Sequence, residues 1–316
     1  QTGAQSAGLH LHSTLVVSPA GLPLGVLGAQ CSAPTPKSTH DRRPAGAIPI
    51  EEKKTFAWIT GLRECIEVAA DLPETRVICV MDREADFFEL FDEQRHTRTV
   101  DLLVRAKHDR GTTDDARNLF ASVRQSAVQR QLHIHVPRQS ARPKKSKQKP
   151  RLGNKQRTAQ VALRYRSIEL RPPSHHKGKE PITLWVVHVL ETSPPADAEP
   201  VEWFLLTTRA VTTVEQAEEC LRWYCLRWRI EDWHRVLKSG CRIQTLQHKT
   251  AERLKRAIGI NLVIAWRLML MTLLGRECPE LPAEVVFSDL EIEVLRAYAK
   301  KNESPRLPNL AMPCVW

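Results

Sequence analysis

"RVICVMDREADFFELF", residues 76–91, predicts the centre of the fold. The unbroken apolar run Val77–Met81 is typical of a strand that is buried on both faces of a sheet. A helix is expected from about Asp86, whose carboxylate can cap it while Glu89 completes a capping-box-like pair. A second strand follows in "VDLLVRAKH", residues 100–108. This order of strand, helix and strand predicts a βαβ unit and therefore an α/β protein.

Asp82 stands where the first of these strands ends. In open α/β sheets, ligands bind beyond the carboxyl ends of the strands, and Asp82 occupies such a position. The residue is therefore a candidate metal-binding carboxylate. An ordinary turn residue is the alternative interpretation, because Asp is also common in turns.

The segments on either side complete the expected organisation. Their periodicity predicts an antiparallel hairpin at 9–30 and a helix at 51–70. From 109 to about 210 the chain is expected to be rich in strands, after a helix-like patch at 114–130. The expected strands are "QLHIHV" (131–136), "QVALRYRSIEL" (160–170), "ITLWVVHVLE" (182–191) and "VEWFLLTT" (201–208), and further helices are expected at 251–275 and 289–300.

"WYCLRWRIEDWHRVLKSG", residues 223–240, predicts one amphipathic helix. On a helical period its polar stripe contains Tyr224, Arg227, Glu231, Arg235 and Lys238. A carboxylate on this stripe could bind a metal ion beside cations that hold DNA phosphates. The alternative interpretation is a solvated face with Glu–Arg pairs four residues apart.

The charge of the chain favours a polyanionic partner. The 316 residues carry a formal net charge of +11, and the sequence pI is about 9.4. Residues 138–157 contain nine Lys or Arg and no acid. This basic run is interpreted either as a disordered linker or as a phosphate-binding segment, and the two interpretations are compatible.

Two further patterns concern the compartment and the membrane. The eight cysteines form no CxxC pair, which is typical of free thiols in a reducing compartment. The apolar stretch 257–274 is long enough to cross a membrane, but Asn261 and Arg267 lie within it. We therefore expect a buried helix and no membrane partner.

The four residues Tyr224, Arg227, Glu231 and Lys238 fit the pattern Y-(2)-R-(3)-E-(6)-K. This spacing resembles the signature of DDE transposases of the insertion-sequence-four family, to which the Tn-five transposase belongs. "DREAD" with Asp82, "VRAKH" (104–108) and "HSTLVV" (12–17) resemble further segments of that family. The similar segments lie in order along nearly all of residues 1–300.

The resemblance implies an RNase H-like core, a mixed sheet flanked by helices, interrupted by a β-strand-rich insertion. The core would comprise 1–108 and 211–275, with the Y-R-E-K helix in its second part. The insertion would comprise 109–210 and carry the basic loop, and 276–316 would begin a C-terminal region.

The same resemblance implies the chemistry of the site. Asp82 and Glu231 would be catalytic carboxylates of a two-metal site that holds Mg²⁺ or Mn²⁺. The contacts to DNA at the transposon end would come from Tyr224, Arg227 and Lys238. The resemblance implies a DNA-hairpin intermediate in which a tryptophan stacks on a flipped base.

The tryptophan at the matching place is Trp203, 21 residues before Tyr224. An aromatic platform for a flipped base makes physical sense, although a core strand residue is the alternative. Arg105 would support that base or its phosphate. The implied partners are double-stranded DNA, as transposon ends and target, and a second copy of the chain. The implied location is the bacterial cytoplasm, at the nucleoid when DNA is bound.

Three functional hypotheses are compatible with the sequence. The first is cut-and-paste DNA transposition. The second is a catalytically inactive DNA-binding remnant: the resemblance requires three carboxylates, and no Asp or Glu precedes Asp41. We therefore expect that the strand with the first catalytic Asp is missing, that the chain is truncated at both ends, and that it cleaves little DNA alone. The third is another RNase H-like nuclease or resolvase, against which the Y-R-E-K spacing and Trp203 argue.

Overall fold

The computed structural model describes residues 8–33, 43, 47–114, 116, 118–138, 153, 155–176, 178–196 and 198–301. It divides into two compact units. We call residues 36–225 the sheet unit, and residues 1–35 with 226–316 the helical unit.

The described residues form eight strands and seven α-helices. The strands are β1 (His10–Val17), β2 (Pro23–Ser32), β3 (Val77–Met81), β4 (Val100–Arg105), β5 (Arg130–Val136), β6 (Arg157–Leu170), β7 (Ile182–Glu191) and β8 (Glu202–Thr207). The helices are α1 (Phe56–Ala70), α2 (Phe88–Thr97), α3 (Leu119–Arg124), α4 (Val214–Leu226), α5 (Trp228–Arg235), α6 (Ala251–Glu277) and α7 (Asp289–Lys301).

The sheet unit is built on one mixed sheet with the strand order β3-β4-β8-β7-β6-β5. Strands β3 and β4 are parallel and are joined through α2, which confirms the predicted βαβ unit. All other pairs in this sheet are antiparallel. The six strands with their flanking helices confirm the predicted α/β fold and are consistent with an RNase H-like architecture.

Burial explains why these segments fold as predicted. In β4 the side chains of Val100, Leu102, Leu103 and Val104 are all fully buried, as expected for a strand covered on both faces. Helix α1 buries one stripe at helical spacing, which packs it onto β3 and β4. The strand-rich region is not a separate sheet, because β8 pairs with β4 and places Arg105 opposite Leu205.

The predicted cap of α2 is wrong. The helix begins at Phe88, and its N-cap Phe87 makes no side-chain capping bond. The carboxylate of Asp86 is instead buried and accepts hydrogen bonds from the segment after β4, including Lys107 N. A buried carboxylate gains more from these fixed donors than from an exposed helix end. The helix-like patch at 114–130 is helical only in α3 among its described residues.

The single helix predicted at 223–240 is interrupted in the structure. Helix α4 ends at Leu226, α5 begins at Trp228, and a π-helical turn, Val236–Gly240, follows. Tyr224 does not lie on an exposed stripe: it is 3% exposed and packs in the core of the sheet unit. Because Lys238 lies in a π-helical turn, its side chain points in a different direction from the one that α-helical spacing predicts.

The helical unit combines the β1–β2 hairpin with α5, α6 and α7. Trp233 of α5 is fully buried at its centre and donates from Nε1 to Leu262 O at 3.3 Å. Trp266 of α6 donates to Pro23 O of β2 at 3.0 Å. The hairpin turn requires Gly21, whose φ is +90°. A Cβ at this position would lie 3.1 Å from Cδ2 of Leu226.

Helix α6 is long and apolar enough, by length and composition, to cross a membrane. The expectation of a buried helix is correct for one face only, since 22% of its most apolar stretch is buried. Ile260 and Val263, for example, are exposed. The arginine within the stretch, Arg267, is paired with Glu291 of α7 at 2.6 Å.

Candidate active site

Asp82 follows β3 and starts a short 3-10 turn, Arg83–Ala85. Its Oδ1 accepts a hydrogen bond from Glu84 N at 2.8 Å. This bond fixes the carboxylate at the strand end. The second carboxylate oxygen keeps its acceptor capacity, which is what a hard divalent cation needs.

Asp86, the second acid of "DREAD", holds this strand end in place. Its fully buried carboxylate accepts from Lys107 N at 2.7 Å, from His108 N at 3.1 Å and from Arg110 Nε at 2.8 Å. Arg110 also donates to the Asp86 carbonyl. These bonds tie the segment after β4 to the segment after β3. Sequence reasoning missed this positioning role, for which the signal is a second Asp four residues after Asp82.

The structure brings three of the predicted DNA-contacting residues together in the sheet unit. The guanidinium of Arg105 lies over the ring of Trp203, 5.8 Å from its centroid. The rings of Trp203 and Tyr224 meet edge to face with centroids 5.3 Å apart. Trp203 is only 8% exposed. Stacking of a base on this indole therefore requires neighbouring side chains to move.

Glu202, which precedes Trp203, is held by a network that sequence reasoning missed. Its carboxylate accepts two bonds of 2.9 Å from Nη2 of Arg124 and lies 2.9 Å from Nε2 of His188. Burial lowers the pKa of His188 against the opposing effect of Glu202. Burial alone would raise the pKa of Glu202, but His188 and Arg124 hold it below its usual value. The network fixes the start of β8.

The remaining predicted site residues lie in the helical unit. Glu231 on α5 has a side chain 55% exposed, and its Oε1 is 3.2 Å from Nη1 of Arg227. Lys238 is exposed on the π-helical turn. Arg235 pairs with Asp232 at 2.8 Å instead of joining Glu231. Among the described residues, Arg227 is thus the cation that pairs with the exposed carboxylate of Glu231.

His234 connects this helix to the β1–β2 hairpin. Its Nε2 lies 3.0 Å from the hydroxyl of Ser13. Burial lowers the pKa of His234, and the charge of Lys238 lowers it further. The neutral imidazole therefore holds α5 beside β1 without adding charge to the exposed stripe. The basic run predicted to contact phosphates lies outside the described residues at 139–152 and 154.

A comparison with protein families matches residues 2–267 to the family described as the transposase DDE domain. The matched region covers both carboxylates, Asp82 and Glu231, and every other candidate residue above. It also covers the whole six-stranded sheet. The chain therefore belongs to the transposase DDE domain family.

Proposed function

We propose that this transposase domain belongs to the insertion-sequence-four type and carries out cut-and-paste DNA transposition through a DNA-hairpin intermediate. The observation that carries the proposal is the Y-R-E-K spacing within the matched region, with Glu231 exposed beside Arg227. Membership of the family indicates DNA cleavage and transfer with divalent metal ions. Membership of the insertion-sequence-four type and the DNA-hairpin intermediate go beyond the family assignment and are part of the proposal.

The carboxylates suit a divalent metal ion. Asp82 uses one oxygen for Glu84 N, and Glu231 makes only a partly exposed ion pair. Within the described parts of the chain neither carboxylate forms a buried ion pair, and hard oxygen ligands suit Mg²⁺ and Mn²⁺ alike. Bound metal ions would lower the pKa of an attacking water and stabilise charge on the phosphoryl oxygens.

The cations of the chain would position the DNA. Arg227 and Lys238 are proposed to bind phosphates next to the scissile bond, because phosphate contacts fix the register of a duplex. Arg105 and Trp203 are proposed to receive a flipped base during formation of the DNA hairpin. The burial of Trp203 adds a requirement to this step: the base must displace side chains that now cover the indole.

Further parts of the proposal rest on the resemblance alone. The active protein is proposed to be a homodimer that binds both transposon ends and the target DNA. It is proposed to act in the bacterial cytoplasm and to have no membrane partner.

The test is a nicking assay on a labelled transposon end, with the gene product that contains these 316 residues. Glu231→Gln should abolish nicking in Mg²⁺ or Mn²⁺ while DNA affinity changes little, because the substitution removes a ligand charge but not a phosphate contact. The matched control is Glu252→Gln, an exposed helix glutamate in the same unit. Nicking that survives Glu231→Gln would refute the catalytic assignment. DNA binding without nicking by the unaltered protein would support the inactive remnant instead.

A further inference from the structure

A second group of possible metal ligands lies within the sheet unit, on residues that the proposed transposition does not use. Glu89 lies in the first turn of α2, and His175 and His176 lie in a short 3-10 turn between β6 and β7. One ligand atom from each of the three side chains lies within 4.8 Å of the other two. The closest pair is His176 Nε2 and Glu89 Oε1, at 3.1 Å.

One nitrogen of this group lies close to a carboxylate but is not well aligned for a hydrogen bond. Nε2 of His176 is buried, and among the described residues it has no hydrogen-bond partner of acceptable geometry. Buried polar atoms in folded proteins normally have a partner, so an atom without one calls for an explanation. His175 is exposed and its ring centroid is 4.5 Å from that of His176, which leaves one side open for an ion to enter.

The loop that carries the histidines is already held against α2. Lys179 forms an ion pair with Asp92, one turn after Glu89. Arg95, one turn further on, donates to Glu180 O at 3.3 Å. The three helix positions share one face of α2 at spacings of three residues. Ion binding would therefore not need to order this loop from an open state, which lowers its cost.

We propose that Glu89, His175 and His176 form a site for one Zn²⁺-like ion that fastens the β6–β7 connection to α2. Two imidazole nitrogens and one carboxylate oxygen are ligands that zinc prefers, whereas Mg²⁺ prefers oxygen ligands alone. Tetrahedral bonds of about 2.0–2.1 Å place ligand atoms roughly 3.3 Å apart. Rotation of the exposed His175 side chain would bring its ligand atom from within 4.8 Å to about this spacing. Water would complete the coordination.

The bound ion would stabilise the fold and would take no part in DNA cleavage. It joins the long β6–β7 hairpin to the helix that follows Asp82. The ion would lie between the buried Nε2 of His176 and the Glu89 carboxylate, which are now 3.1 Å apart. A metal that stabilises only the folded form raises the stability of that form by mass action.

The test is a zinc titration of the intact protein by calorimetry, with excess Mg²⁺ present to occupy carboxylate-only sites. One Zn²⁺ should bind per chain, and His175→Ala and Glu89→Gln should each weaken binding about 100-fold or more, since even outer-shell changes cost 10–100-fold. His133→Ala, which removes an exposed histidine on β5, is the matched control and should change nothing.

Cobalt substitution distinguishes this site from cysteine sites. The Co²⁺ complex should show no thiolate charge-transfer band and should disappear in His175→Ala. Zinc binding of unchanged stoichiometry and affinity in both variants would overturn the proposal, as would a thiolate spectrum. Mg²⁺-dependent nicking should persist in His175→Ala, so failure of the zinc site and failure of the transposase proposal are separate outcomes.

Discussion

Asp86→Ala should lower the free energy of unfolding of the sheet unit by about 3–5 kcal/mol, the usual cost of breaking a buried ion pair. Three hydrogen bonds end on its fully buried carboxylate. At about 1.5–3 kcal/mol for each bond to a charged group, the three bonds would sum to about 4.5–9 kcal/mol, most of which lies above that range. The net loss is smaller because solvent can reach the groups left behind: the Arg110 side chain is 20% exposed.

The matched control is Asp82→Ala, four residues earlier in the same motif. Asp82 accepts one hydrogen bond, from Glu84 N at the start of a 3-10 turn. Loss of such a cap costs about 1 kcal/mol. Urea unfolding followed by circular dichroism gives both values. Because two units can unfold separately, hydrogen exchange at the amides of Lys107 and His108 provides the local measurement.

A loss of about 3–5 kcal/mol should make those two amides exchange roughly 100- to 4,000-fold faster in Asp86→Ala, since about 1.4 kcal/mol corresponds to a factor of ten. Arg110→Ala combined with Asp86→Ala should cost less than the sum of the single variants, because the residues share one interaction. Equal losses in Asp86→Ala and Asp82→Ala, or strict additivity with Arg110→Ala, would refute the positioning role of Asp86.

Gly21→Ala should destabilise the helical unit by about 1 kcal/mol or more, because its φ is +90°, whereas Gly25→Ala, whose Cβ meets nothing within 4 Å, should cost less in the same thermal melt. Stability should fall on acidification in two steps. The pKa of His188 is lowered in the fold, so its contribution to the free energy of unfolding is present above about pH 6.5 and is lost as the pH falls below that value. The pKa of Glu202 is also lowered, so its contribution to the free energy of unfolding is lost below about pH 4.3. His188→Gln should flatten the first step, and an unchanged pH profile would contradict this assignment. Neutralising the lysines of 144–149 should make DNA binding less dependent on salt. The slope of log binding constant against log salt concentration should become shallower by about 0.9 for each DNA phosphate that these lysines no longer contact, while an unchanged slope would identify the segment as a linker.

The sequence predicted most elements of the fold because hydrophobic period is a local property. The strand predicted at 182–191 has the same limits as β7, and the apolar run Val77–Met81 is β3. The predictions failed where tertiary contacts compete with local preference. Asp86 was predicted to cap α2, but its carboxylate accepts hydrogen bonds from the segment after β4. Tyr224 was predicted on the polar stripe, but its ring packs edge to face against Trp203 of the sheet.

The candidate site was predicted in part for the same reason. Spacing along one helix is sufficient to place Glu231 next to Arg227, and the structure has this pair at 3.2 Å. No local pattern places Arg105 over Trp203, because that contact depends on the pairing of β4 with β8. The Glu202 network depends instead on the pairing of β7 with β8, which brings His188 close, and on the position of Arg124 at the end of α3. The catalytic roles of these residues stay predictions until the nicking assay is done.

The pairing of β4 with β8 also has a consequence for synthesis of the chain. Glu202 at the start of β8 follows Arg105 by 97 residues, which takes about 5–20 s at ribosomal rates of about 5–20 residues per second. During that interval β4 has a bare, strongly apolar edge, which favours aggregation. Nascent chains released before residue 202 should bind chaperones or precipitate, whereas chains released after 225 should stay soluble. Soluble, unbound short chains in a release-and-sediment experiment would contradict this expectation. The ribosome must complete β8 before β4 can be protected.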